Sequence, residues 1–383
     1  MFYQKKIKIG LVAAEMSGDF LGAGLMSALK KQYKSIEFLG IGGPKMAEEG
    51  FHSLVPMEEL SVMGITEVFL KYLKLNKIKR KLLLEFKRNP PDIFIGIDYP
   101  YFNLIIHTSL KKYGIKTVQY VSPKIWAWRQ NRVFKIKRVV DLVLTLFPFE
   151  NAFYDKHNVP AKFVGHPLAD CIPMHVDSAP IKKSFGLVAG ERIIAILPGS
   201  RLGELKYMAP LFLDVMNKIN SDYKGICFMV AVSNQLIREA FEAQVKAKGF
   251  QLNIRVIDGN AQKVMALSEL VILKSGTATL EAMLLKRPMI VAYKHSFISH
   301  AIIARQLKVP YIALPNLLAN KRLVPEFLQS DAKATHIASM AIAFLDRGEA
   351  SLNDIKDQFE TIHYQLRKNA SESAANAILE ILD

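Results

Sequence analysis

Short apolar, β-rich runs alternate with longer amphipathic segments along nearly the whole chain, and few folds accept that alternation. Residues 6–14 read as a first strand and GDFLGAGLMSALKKQY as the helix after it; runs at 36–41, 92–97, 116–121 and 142–146 repeat the theme. A second series begins at 192–197 and continues through 225–232, 252–256, 270–274 and 288–293. Strand–helix alternation predicts parallel sheets covered on both faces, and two series predict two of them. The fold class expected is therefore α/β, with two doubly wound Rossmann-like domains facing a cleft. Between the series lies PLADCIPMHVDSAPIKKSFG, proline-rich and without period. The expected domains are 1–166 and 184–350, joined by a linker at 167–183. A helical tail over 351–383 is free to pack back on the first domain. The 383 residues exceed what one ordinary core organises, which agrees with two domains.

Composition narrows the function classes. The two cysteines, Cys171 and Cys227, stand far apart, against a disulfide scaffold or thiolate zinc site and for a reducing compartment. The basic-then-apolar start MFYQKKIKIGLVAAE is too short for a signal segment and runs into Glu15 and Asp19 as a strand end would. No run reaches 18 apolar residues, so a spanning helix is not expected. The formal charge of +16 implies an anionic partner: nucleic acid, an acidic membrane surface or a phosphorylated substrate.

Ligands of open α/β sheets bind at the carboxyl ends of strands, so the loops there carry the candidates. In the first series, AEMSGD (Glu15, Ser17, Asp19) opens a helix with Gly22 and Gly24 following; it suits an anion or sugar hydroxyl, or it is a plain cap by Ser17 or Asp19. IGGPKM offers backbone donors around Gly43, beside Lys45, or is only a tight turn. GIDYPYFN ends a buried strand on Asp98, either a helix cap stiffened by Pro100 or a catalytic carboxylate, and one residue can fill both roles. YVSPKIWAWRQNR holds both tryptophans; Trp128 and Arg129 are placed to stack on a ring, or the pair is core and contact. An isolated His166 in GHPLAD is more often structural than catalytic.

In the second series, LPGSRLGE lets Gly199 and Ser200 bring backbone close to a phosphate, and Arg201 supplies a fixed cationic fork. It lacks the Gly-Lys-Ser/Thr of a nucleoside-triphosphate loop, so ATPase chemistry is not read from it. LKSGTATLEAML starts a helix at Ser275, Gly276 and Thr277, whose amides suit a diphosphate, and Glu281 one turn on suits ribose hydroxyls. The alternative is a glutamate stabilising its own first turn. No Asp-x-Asp occurs, so a carboxylate-held metal at a diphosphate is not expected, nor any cofactor.

The stretch ITEVFLKYLKLNKIKRKLLLEFKR interleaves Val68, Phe69, Tyr72, Leu73 and Leu75 with Lys71, Lys74, Lys77, Lys79, Arg80 and Lys81. That composition fits a helix lying on an anionic membrane, against an ordinary helix with its apolar face in the core. A nucleic-acid role is disfavoured because no recognised binding module accompanies the charge.

Taken in order, AEMSGDFLGAGL, GIGGPKMAEEG, MEELSVMGITEV, GIDYPYFN, YVSPKIWAWRQNRVFKI, LPGSRLGE, SGTATLEAML and LPNLLA resemble the lipid-A-disaccharide synthase family over nearly the whole chain. The resemblance implies a GT-B glycosyltransferase that moves 2,3-diacylglucosamine from its UDP derivative to the 6-hydroxyl of 2,3-diacylglucosamine 1-phosphate. It implies a UDP site at Arg201, Ser275–Thr277, Glu281 and Asn316, and Asp98 as the base, with Glu15 and Asp19 as competing carboxylates. It also implies a peripheral enzyme on the cytoplasmic face of the inner membrane of Gram-negative bacteria, with homodimerisation open to it. A different GT-B transferase acting on a lipid-linked acceptor is the alternative.

Overall fold

The computed structural model describes residues 6–61, 68–188, 190–295, 308–348 and 352–382, with side chains left out from 61 to 72. These residues fall into two compact units, divided after Asp170 and again after Gln365, so the last helix, Ala370–Leu382, belongs to unit 1.

Unit 1 is a six-stranded parallel sheet of β1 (Ile7–Val12), β2 (Ile36–Ile41), β3 (Ile93–Ile97), β4 (Lys116–Tyr120), β5 (Leu142–Thr145) and β6 (Ala161–Phe163), in the order β2-β1-β3-β4-β5-β6. Its strands read as nearly continuous apolar runs because both faces are covered. Ile9, Leu11, Ile93, Ile95 and Ile97 pack toward the Met16–Gln32 and Ala370–Leu382 helices. Val12, Leu39 and Phe94 pack on the other side with Ile78, Leu82 and Phe86 of the Val68–Arg88 helix and Phe102, Ile106 and Leu110 of the Pro100–Lys111 helix. Burying each such side chain fully contributes roughly 1.5–3 kcal/mol.

Unit 2 repeats the plan with β7 (Ile193–Leu197), β8 (Cys227–Val232), β9 (Ile254–Asp258), β10 (Leu270–Lys274), β11 (Met289–Tyr293) and β12 (Glu326–Leu328), all parallel, in the order β12-β11-β10-β7-β8-β9. Its core joins Ile194, Ile196, Phe228, Val230 and Ile272 to Met208, Phe212 and Met216 of the Leu202–Asp222 helix.

The proline-rich stretch between the two series contains two short helices, Pro167–Cys171 and Ala179–Ser184. Asp170 also accepts hydrogen bonds from the amides of Asn369 (3.0 Å) and Ala370 (2.7 Å), so it caps the last helix from 200 residues away. No described helix is long and apolar enough to cross a membrane.

Candidate active site

Each sheet has one place where the strand order reverses, and a crevice for ligand opens there at the carboxyl ends. In unit 1 that place lies between β1 and β3, whose following loops carry Glu15 to Asp19 and Asp98 to Pro100. In unit 2 it lies between β7 and β10, whose loops carry Gly199 to Arg201 and Ser275 to Thr277. The strongest sequence candidates thus meet pairwise at the two switch points.

In unit 1, Asp98 is half-buried; burial raises its pKa above the ordinary carboxylate value, opposed by a hydrogen bond from the Tyr99 amide and by the Lys124 charge. Asp98 does not cap the next helix. The N-cap is Tyr99, without a side-chain cap bond, and Asp98 stands one residue before it in left-handed backbone (φ 49°). Glu15 occupies the N-cap of the Met16–Gln32 helix, half-buried and also without a side-chain cap bond, and its charge reaches Tyr99. Ser17 is exposed beside it.

Two expectations in this unit need correcting. Asp19 is fully buried, with Oδ1 accepting from the Gly43 and Met46 amides (2.9 and 3.0 Å) and Oδ2 from Lys45 (2.8 Å). It builds the 43–46 loop and is in no position to act as a base. The donors of that loop are consumed by the same bonds, so the Gly43 amide is not offered to a ligand.

The loop after β4 separates the two tryptophans. Trp126 is buried and donates to Glu150 (3.0 Å), whereas Trp128 is 38% exposed with the Arg129 guanidinium 4.6 Å over its ring. Sequence reading passed over Glu150, which also accepts from the Leu146 and Phe147 amides (both 3.1 Å); burial pushes its pKa up to about 7. The hint available was its place as the third residue of PFENAFYD, where a glutamate closes a first helical turn. His166 stays neutral, its pKa pushed down to about 4 by burial, and its Nδ1 accepts from the Leu168 amide, a structural role.

In unit 2, Gly199 (φ 121°) leaves room that a side chain would fill, because an added Cβ would lie 2.8 Å from Glu204 Oε2. Arg201 is the N-cap of the Leu202–Asp222 helix; its side chain is 61% exposed and 3.7 Å from Glu204. Glu204 accepts from the Ser200 amide (3.2 Å) and from Lys274 Nζ (2.9 Å), which ties the β7 loop to the end of β10. Burial works to raise its pKa, but Lys274 and the Ser200 amide outweigh burial and hold it below the ordinary value. Lys274 and Glu204 are site residues that sequence reading did not single out; Lys274 stood directly before the Ser275 motif.

Gly276 and Thr277 lie at the open start of the Ala278–Leu284 helix, and Ser275 Oγ donates to the Ile312 carbonyl (3.2 Å). Glu281 accepts from Gln262 (2.8 Å), and burial raises its pKa. Asn316 is not a ligand group: it is fully buried, and its amide makes all four bonds open to it. Oδ1 accepts from Leu323 and Val324 (2.7 and 2.9 Å), and Nδ2 donates to the Val324 carbonyl and Glu326 (2.9 and 2.8 Å).

Of the five residues read as membrane contacts, Leu75 packs on the unit 1 core and Leu73 is 50% exposed. The side chains of Val68, Phe69 and Tyr72 lie outside the described residues.

Residues 9–381 match the model of the lipid-A-disaccharide synthetase family. The chain is 53% identical to lipid-A-disaccharide synthase 2 of Legionella pneumophila (strain Lens), covering 100% of this chain and 99% of the relative. The chain belongs to the lipid-A-disaccharide synthase family. Members from Hahella chejuensis and Vibrio parahaemolyticus are 45% and 44% identical, each over 99% of this chain and at least 96% of their own length. Among solved structures, the UDP-GlcNAc 2-epimerase of Neisseria meningitidis, bound to UDP-GlcNAc, aligns with a TM-score of 0.67 at 10% identity, over 98% of this chain and 100% of that one. A glycosyltransferase from Rickettsia africae gives 0.59 at 12%, over 99% and 98%. At that identity the likeness concerns the fold, and it is of GT-B type. As a member of the lipid-A-disaccharide synthase family, the chain is a glycosyltransferase of lipid A biosynthesis.

Proposed function

We propose that the chain moves the 2,3-diacylglucosaminyl group of UDP-2,3-diacylglucosamine to the 6-hydroxyl of 2,3-diacylglucosamine 1-phosphate. The products are the β-1,6-linked tetra-acyl disaccharide 1-phosphate and UDP. Inversion at the anomeric carbon needs one in-line displacement and one base. The acceptor hydroxyl loses its proton to Asp98 as its oxygen bonds to the anomeric carbon, and the bond from that carbon to the diphosphate breaks. An aspartate whose burial makes it hold a proton more tightly suits that task near neutrality. In unit 2, Arg201 and Lys274 meet the charge of the departing diphosphate with the amides of 275–277, and Glu281 receives ribose hydroxyls. In unit 1, exposed Met16, Phe20, Tyr101 and Trp128, near the carboxyl ends of β1, β3 and β4, supply apolar surface for acyl chains.

The observation that carries this reading is that each unit furnishes its own switch point, a half-buried carboxylate at that of unit 1 and a cationic, amide-rich loop pair at that of unit 2, in a chain matched to the family over residues 9–381. The lysines and arginines of the Val68–Arg88 helix, rather than its apolar stripe, support peripheral attachment to the cytoplasmic face of the inner membrane, and a homodimer is compatible with the family. Purified protein given both lipid substrates without added metal should yield the tetra-acyl disaccharide 1-phosphate by mass spectrometry. UDP released without disaccharide, or no turnover at all, would refute the assignment.

A further inference from the structure

Three residues other than glycine stand in left-handed backbone at the ends of the two central strands of unit 1: Asp98 (φ 49°), Tyr99 (φ 37°) and Val121 (φ 74°). A β-branched valine there is an outlier, and such geometry persists only when neighbours over-determine it. The neighbours are three fully buried polar side chains, Asn103, His107 and Gln119. Asn103 Nδ2 donates to the Asp98 carbonyl at 2.8 Å, and Gln119 Nε2 reaches the same carbonyl at 3.1 Å and that of Val121 at 3.2 Å. The Asp98 amide itself donates to the Tyr120 carbonyl at 2.8 Å.

His107 decides which way the Gln119 amide faces. Its Nε2 lies 3.1 Å from Gln119 Oε1, and burial keeps the ring neutral. With the proton on Nε2 the histidine donates, Oε1 accepts, and Gln119 Nε2 is left to gather the strand-end carbonyls. Gly96 makes room for the cluster: an added Cβ would lie 2.7 Å from Asn103 Cβ and 2.9 Å from His107 Nε2.

A buried polar cluster is costly unless fully paired, and here Asn103 Oδ1 and His107 Nδ1 have no hydrogen-bond partner among the described residues. An ordinary strand-to-helix turn needs none of this. We propose that Asn103, Gln119 and His107 are positioning residues that lock the Asp98 backbone so that its carboxylate is fixed for proton transfer. The inference rests on Asp98 being the base, and it assigns these residues an effect on turnover rather than on substrate binding.

The test compares Asn103→Ala, Gln119→Met and Gly96→Ala with Asp98→Asn. Turnover is counted per UDP-binding site, so that unfolded protein does not enter. The first three should lower kcat by about tenfold to a hundredfold, the scale of a misplaced catalytic group, with KM and UDP affinity near wild type. Gly96→Ala pushes on the cluster without deleting any of it, so its agreement with the other two ties the loss to the clamp. If Asn103→Ala does not fold, Gln119→Met carries the same reading. Wild-type kcat in folded Gln119→Met, or a rise in KM alone, overturns the clamp while inactive Asp98→Asn leaves the base in place. Full activity in Asp98→Asn overturns the base itself.

Discussion

A charged side chain that caps nothing and touches one partner at long range is available for a ligand, and Arg201 is such a residue. Charge-assisted hydrogen bonds contribute about 1.5–3 kcal/mol. Arg201→Ala should therefore raise the Kd for UDP roughly tenfold to a hundredfold by calorimetry. Partition to anionic vesicles should be unchanged, and a loss there without a loss of UDP affinity would reverse the division of roles. Asn316 is the opposite case. Its amide is spent on the 323–326 segment, so Asn316→Ala leaves buried donors and acceptors unpaired at about 1–3 kcal/mol each. It should lower the melting temperature, and saturating UDP should bind the remaining folded fraction with near-normal affinity. A large affinity loss in fully folded protein would return Asn316 to the ligand shell. The sequence distinguished neither fate, because an arginine at a strand end and an asparagine in LPNLLA look equally polar until burial is known.

At the scale of elements, the loop after β4 is held by one buried acid. Glu150 takes hydrogen bonds from Trp126 and two amides, with the Ser122 and Tyr154 hydroxyls close by (Ser122 Oγ to Tyr154 Oη, 3.0 Å). Its folded pKa of about 7 stands above the ordinary glutamate value of 4.5, so between these values the folded chain binds the extra proton. Stability from this group is present below about 4.5 and falls as pH rises to about 7, by up to about 3 kcal/mol. Glu150→Gln should flatten that fall in denaturant titrations run across the window, and parallel slopes for the two proteins would refute it. The strands themselves were legible, since runs such as IKIGLV and IFIGI admit little else. β12 was not: three half-buried residues at a sheet edge carry no periodic signal. The Val68–Arg88 helix shows a limit of the other kind. Its basic-amphipathic pattern fits a membrane surface, but Leu75, Ile78, Leu82 and Phe86 spend that apolar stripe on the unit 1 core.

For the whole molecule, the last helix completes the first unit: Ala374, Ala375, Ala377 and Ile378 are buried among residues of β1, β3 and β4, and Asp170 caps the helix start. Truncation after Leu366 should lower the melting transition of unit 1 and leave that of unit 2 in place, seen as two separated calorimetric transitions. A single unshifted transition would show the helix to be dispensable.

The two doubly wound sheets and the family are legible in the chain alone, because both are written in local runs: period, turn residues and motifs kept in order along the chain. The same runs place Asp98, Arg201 and Ser275–Thr277 at strand ends, which is where such sheets bind. Which polar residues at those ends are spent and which are open to a ligand depends on how the chain folds. Asp19 is consumed by the amides of the 43–46 loop and Asn316 by the 323–326 segment, Lys274 and Glu204 join two loops, and Asn103, His107 and Gln119 gather beneath Asp98. Hydrogen-bond satisfaction depends on which chain segments meet, and one segment's sequence does not say what its side chains will find across the sheet.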